Sequence, residues 1–204
     1  MMDDVYYTIE RAAQAEIKRK GSRFIAEAMV TSSVDKAMTQ LEAIRKREHA
    51  ATHHCYAYRV GTEHEVTFKY SDDGEPNGSA GRPIFDIVCG RELTNVLVVV
   101  TRYYGGTKLG TGGLVRAYGD VATAALDSAG RKQNFITVRL RIVIPFAMYD
   151  PLMKVVSRHQ AHQRQADFAD RVTLELEVRR SLAQALTNDI VQLSSGKAIV
   201  ETLT

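Results

Sequence analysis

Between Arg102 and Asp120 the chain reads RYYGGTKLGTGGLVRAYGD, residue types and a spacing that suit the binding of an anion. Gly105, Gly106, Gly110, Gly112 and Gly113 lack a Cβ, so the backbone can bring several N–H groups close to one neighbour. Arg102, Lys108 and Arg116 set fixed positive charge around them. A helix starting after such a loop offers phosphate its unpartnered N–H groups and the positive end of its dipole. The glycines match neither a P-loop nor GxGxxG, so a tight crossover accounts for them equally well. Tyr103 and Tyr104 can stack on bases, or fill core with a wet hydroxyl.

A second group is Ser71-Asp72-Asp73-Gly74-Glu75-Pro76, with three carboxylates in four positions. Such carboxylates can hold a divalent cation or move protons, and they can equally cap turns and helices. The spacing is not that of a calcium loop, which favours a loop-organising role for Asp72, Asp73 and Glu75. Pairing with Arg102, Lys108 or Arg116 would hold the two loops together. In THHCYAY a strand places His53 and Cys55 on one face and His54 on the other. No second ligand pair lies at zinc spacing, and strand neighbours do not put a base on the Cys55 sulfur. No metal, cofactor or catalytic residue is expected, and His53 and His54 join the loop organisers. Lys18–Arg23 (KRKGSR) is a basic turn; Lys20 and Arg23 become anion contacts if their face also carries Arg102 and Lys108.

The elements that must position these residues follow from periodicity. Arg11–Arg19 and Ser22–Val30 read as paired strands, and Ser33 as the N-cap of a helix over Val34–Glu48. His53–Val60 and Val66–Tyr70 form a further strand pair, and Ser79 is placed to cap a helix over Ala80–Cys89. Val96–Val100 is a β-branched run typical of a strand covered on both faces, and Gly112–Ser128 a helix ended by Gly130. A boundary fits at Gly130–Asn134, giving domains 1–131 and 132–204. The second reads Val138–Phe146, Asp150–His159, His162–Phe168, Val172–Arg179, Ser181–Gln192 and Ala198–Leu203 as β-α-β-β-α-β, a ferredoxin-like order. The fold class is therefore α+β with two domains.

Charge and composition narrow the function classes. Residues 1–131 balance seventeen basic with seventeen acidic side chains, so the net charge of +3 arises in 132–204, where Arg139, Arg141 and Arg164 are candidate contacts. No apolar run approaches the ~20 residues of a membrane span, and the start MMDDVYY is unlike a signal peptide. Cys55 and Cys89 give no disulfide framework, so a cytoplasmic location is expected.

Taken together, KGSRFIA at 20–26, HHCYAY at 53–58, SDDGEPNGSAGRP at 71–83 and RYYGGTKLGTGGLVRAYG at 102–119 resemble the IMPACT family, in particular its bacterial two-domain YigZ-like branch. The resemblance implies an N-terminal α/β sandwich similar to a ribosomal-protein domain and to domain four of elongation factor G, followed by a ferredoxin-like domain. It implies contact with RNA, the ribosome or translation factors, a link to regulation of translation, and no catalytic reaction. The residues leave two alternatives open: an enzyme acting on a phosphorylated or nucleotide-like small molecule through the glycine loop and the SDDGEP carboxylates, and a protein-partner module using the exposed loops. Oligomeric state is not legible.

Overall fold

The computed structural model describes residues 4–203, His64 by its backbone only; the first three residues of the acidic start lie outside it. The chain is mixed α/β and divides into two compact units, Tyr6–Asn134 and Met1–Val5 with Phe135–Thr204. No helix among the described residues is long and apolar enough to cross a membrane.

The first unit is built on a five-stranded antiparallel sheet. Its strands are β2 (Ala13–Arg19), β3 (Ser22–Val30), β4 (His53–Val60), β5 (Thr67–Ser71) and β6 (Val96–Tyr103), in the order β2-β3-β6-β4-β5. β6 is central and buried on both faces, as its β-branched run requires. Val96, Val98 and Val100 face one core with Phe24, Ala26, Ala28, Cys55 and Ala57. Leu97 and Val99 face the other with Tyr56, Tyr58 and Val60. Helix α1 (Val34–Arg47) covers the second face through Ala37, Leu41 and Ile44, and the Ser33 hydroxyl caps it by accepting from Lys36 N–H at 3.1 Å. Helices α2 (Gly81–Gly90) and α3 (Thr111–Ala129) cover the first, α3 with a stripe of Leu114, Ala117, Tyr118, Val121, Ala125 and Leu126.

One expectation needs correction. Ser79 does not cap α2: its hydroxyl donates to the Pro76 carbonyl at 2.6 Å, and Ala80 holds the N-cap position without a side-chain bond. Asp72 does the capping from eight and nine residues upstream, Oδ1 accepting from the N–H groups of Ala80 (2.9 Å) and Gly81 (2.8 Å) and Oδ2 from Gly78 (2.8 Å). An element not expected from the sequence lies beside the boundary: Arg131–Phe135 is a strand, β7, paired with β1 (Val5–Ile9) in a separate two-stranded sheet.

The second unit runs β8 (Thr137–Ile144), α4 (Tyr149–Arg158), β9 (His162–Phe168), β10 (Val172–Arg179), α5 (Arg180–Leu193) and β11 (Ile199–Leu203), with sheet order β11-β8-β10-β9. Leu140, Ile142, Ile144, Leu174, Leu176 and Val178 pack with Leu152, Val155, Val156, Leu186 and Ile190 of the helices. Arg139 and Arg141 alternate to the opposite side, where Glu177 and Glu175 stand across from them in register. Arg164 pairs with Glu177, and Arg141 lies 3.9 Å from Glu201. Acidic neighbours therefore offset the basic surplus on this sheet.

Candidate nucleic-acid interface

The SDDGEP loop follows β5 and the glycine loop follows β6, and both arrive at the same end of the sheet. Antiparallel register sets His53 of β4 opposite Arg102 of β6, and Phe24 of β3 opposite Arg102 on its other side. Odd positions of β4 and even positions of β6 share the α2/α3 face, so His53, Cys55 and Arg102 converge there. Glu75 drops into this corner. Its Oε1 accepts from Arg102 Nη1 at 2.5 Å and from the Tyr118 hydroxyl at 2.6 Å. The side chains of Glu75 and Arg102 are 4% and 6% exposed, so each charge depends on the other. Arg102 Nη2 also donates to the Ser22 hydroxyl at 3.3 Å. Cys55 Sγ donates to the Asp72 carbonyl at 3.0 Å and lies 3.3 Å from the Tyr118 oxygen. Burial pushes the Cys55 thiol well above its ordinary range and the Tyr118 hydroxyl likewise, so this sulfur is a packed thiol and not a thiolate.

Arg102 is thus placed beneath the surface, holding the two loops together through Glu75. Asp73 secures the other face: Oδ2 accepts from His54 N–H at 2.7 Å and Oδ1 from Arg45 of α1 at 3.0 Å, while its carbonyl lies 2.7 Å from His53 Nδ1. Each carboxylate of the SDDGEP loop is therefore engaged by protein donors. Tyr103 and Tyr104 separate. The Tyr103 hydroxyl donates to Glu48 at 2.7 Å, lowering the Glu48 carboxyl and raising the phenol, and the Arg23 guanidinium sits 4.8 Å from its ring centre. Tyr104 is 47% exposed, with the Arg102 guanidinium 5.4 Å from its ring.

The glycine loop itself is clamped to the β2–β3 hairpin tip. The Ser22 hydroxyl accepts from Gly105 N–H at 3.1 Å, and the backbones of Gly21 and Gly105 touch. A Cβ on Gly21 would stand 2.9 Å from the Gly105 oxygen, and one on Gly105 would overlap the Gly21 carbonyl and the Ser22 nitrogen. Only a residue without Cβ fits there. Lys20 on the tip and Lys108 in the glycine loop are exposed, as are Gly106, Gly110, Gly112 and, in the second turn of α3, Arg116, Gly113 being half-buried against Leu109. Gly110, at φ 73°, holds the N-cap of α3 and brings no side chain to its free N–H groups. Arg23 pairs weakly with Glu16 at 3.7 Å, whereas Lys20, Lys108 and Arg116 make no ion pair among the described residues.

Tyr118, Ser22 and Arg45 take part in this site and were not singled out from the sequence. Tyr118 sits in the apolar stripe of α3 and Ser22 on the apolar face of β3; a hydroxyl at such a position must find a buried partner. His54 carries a testable consequence. Burial lowers its pKa, Asp73 opposes this, Arg45 adds to it, and its Nε2 is buried without a partner. The unfolded chain takes up this proton near pH 6.5 and the folded chain only at lower pH, so the stability present above about pH 6.5 declines as pH falls below it. Thermal unfolding should show that decline and His54→Gln should flatten it; an equally steep decline in the variant contradicts the assignment.

Residues 20–126 match the Impact N-terminal domain and residues 142–197 a domain of unknown function, DUF1949. The IMPACT family member YvyE of Bacillus subtilis is 33% identical over 199 residues, covering 96% of this chain and 90% of that protein. The IMPACT family member YigZ of Escherichia coli is 43% identical over 112 residues, 54% of each chain. A crystal structure of a hypothetical protein superposes with TM-score 0.71 at 25% identity, covering 100% of this chain and 99% of the other.

Proposed function

The chain belongs to the IMPACT family, and from that premise we propose that it binds RNA in the cytoplasm, as a non-catalytic contact to the ribosome or translation factors that bears on regulation of translation. One observation carries the reading: the Gly21–Gly105 clamp makes the basic hairpin tip and the glycine loop a single exposed surface. That surface combines cations that make no ion pair among the described residues, the uncapped start of a 19-residue helix and an exposed tyrosine. These are the parts of a single-strand site: backbone charge, amide donors and a stacking ring. Lys20, Lys108, Arg116 and the amides around Gly106, Gly110, Gly112 and Gly113 contact phosphate, Arg23 and Tyr103 brace the tip, and Arg102 positions the loops from below. An enzymatic use of the SDDGEP carboxylates fits less well, because all three already accept hydrogen bonds from the protein.

The test is the affinity of the full chain for single-stranded RNA across ~50–300 mM salt. Affinity should fall with a log–log slope of about −0.7 per phosphate neutralised. Absence of binding, or binding indifferent to salt, removes the proposal.

A further inference from the structure

We infer that the gap between His53 and Glu75 recognises the amino group of an unpaired base, so that this surface prefers cytosine to uracil; the inference rests on the RNA-binding reading above. The tautomer of His53 is fixed by its partner. Nδ1 lies 2.7 Å from the Asp73 carbonyl, which can only accept, so Nδ1 carries the hydrogen and the neutral ring presents a lone pair at Nε2. Nε2 faces Glu75 Oε2 at 4.0 Å. The other carboxylate oxygen is occupied by Arg102 and Tyr118, whereas neither Oε2 nor Nε2 makes a hydrogen bond among the described residues. Two acceptors pointed at one gap call for a group with two polar hydrogens.

A planar amino nitrogen supplies them. Placed about 2.9 Å from both acceptors it sees them about 90° apart, which bends each bond by about 15° and stays within the tolerated range. The pair is preorganised: Glu75 is held by two buried donors, and the His53 ring is held by Asp73 and backed by Gly74. The His53 side chain is 20% exposed and that of Glu75 4%, and neither Nε2 nor Oε2 is among the fully buried side-chain atoms that lack a partner. The guanidinium that binds Glu75 also underlies the ring of Tyr104, so the acceptors and the stacking face form one patch. Single-stranded bases are read in this way, stacked on an aromatic ring and hydrogen-bonded along the edge. Cytosine offers N4–H₂ to the two acceptors; uracil offers O4, a third acceptor, at the same place. The two bases have rings of one size, so stacking does not separate them.

The experiment is fluorescence anisotropy of the full chain with labelled 12-nucleotide oligo(rC) and oligo(rU) at one salt concentration. Oligo(rC) should bind about tenfold tighter or more, since a site built for a donor leaves its acceptors unpaired on the wrong base. His53→Phe should bring oligo(rC) to the oligo(rU) value. An oligomer of N4,N4-dimethylcytidine, which lacks the polar hydrogens, should bind native protein like oligo(rU) and serves if the variant does not fold. Equal affinity for oligo(rC) and oligo(rU), or tight binding of the dimethylated oligomer, overturns the inference and leaves the RNA reading standing. Failure of both oligomers to bind overturns the two together.

Discussion

Glu75→Ala lowers the stability of the N-terminal unit by about 3–5 kcal/mol, the usual cost of removing one partner from a buried ion pair. The size follows from what is left behind. Arg102, 6% exposed, keeps its charge with the Ser22 hydroxyl as its one remaining side-chain hydrogen-bond partner among the described residues, and the Tyr118 hydroxyl loses its Glu75 acceptor inside the α3 stripe. Glu75→Gln should cost less, because an amide oxygen still accepts from both donors although the countercharge is gone. The measurement is amide hydrogen exchange of the slowest β6 residues, which report opening of the central strand of that unit. A loss below about 1 kcal/mol for Glu75→Ala would mean that Arg102 reaches solvent or another anion, and the description of the corner would be wrong.

Gly105→Ala is the second large effect, and it separates two glycine roles that look identical in the sequence. At Gly105 an added methyl overlaps backbone of the hairpin tip, which has no rotamer to yield, and a loss of about 1–3 kcal/mol is expected from overpacking. Gly119, in the body of α3, has nothing within 4 Å of a Cβ. There alanine should stabilise by up to about 1 kcal/mol through helix propensity. Because Gly105→Ala parts the tip from the loop, it should also weaken RNA binding, whereas Gly119→Ala should not. Equal behaviour of the two variants in thermal unfolding and in RNA affinity would dissolve the clamp as an explanation.

Much of this fold is legible in the residues. Ser22–Val30 alternates and is the strand β3; Val96–Val100 is β-branched and lies between two cores; Ser33 begins α1 as a Ser N-cap should. The elements that escaped lack the pattern. Arg131–Phe135, RKQNF, has no apolar alternation, and its pairing with Val5–Ile9 spans most of the chain. Asp72 capping α2 escaped for a different reason: the cap comes from across a loop, whereas local rules look to the preceding residue, Ser79 or Ala80.

The pairing of a loop carboxylate with Arg102 was legible as one of three options, and Glu75 is the carboxylate that makes it; the Tyr118, Ser22 and Arg45 partners were not legible. The polar, turn-forming character of the SDDGEP and glycine loops is written in their composition; that Glu75 takes Arg102 depends on the registers of β5 on β4 and of β4 on β6, which no local spacing encodes. The same register turns Arg102 from a surface cation into a buried brace and leaves Lys20, Lys108 and Arg116 as the outward charges. Tyr103 and Tyr104, adjacent in sequence, part to opposite faces because a strand alternates.

The most direct measurement compares salt dependence of single-stranded RNA binding for the native chain and for the triple variant Lys20→Ala, Lys108→Ala, Arg116→Ala. If the tip and the loop form one phosphate-contacting surface, the slope of log affinity against log salt becomes shallower by about 2, or about 0.7 for each cation removed. An unchanged slope in a folded triple variant, with native affinity retained, would place the RNA contact elsewhere and contradict the account.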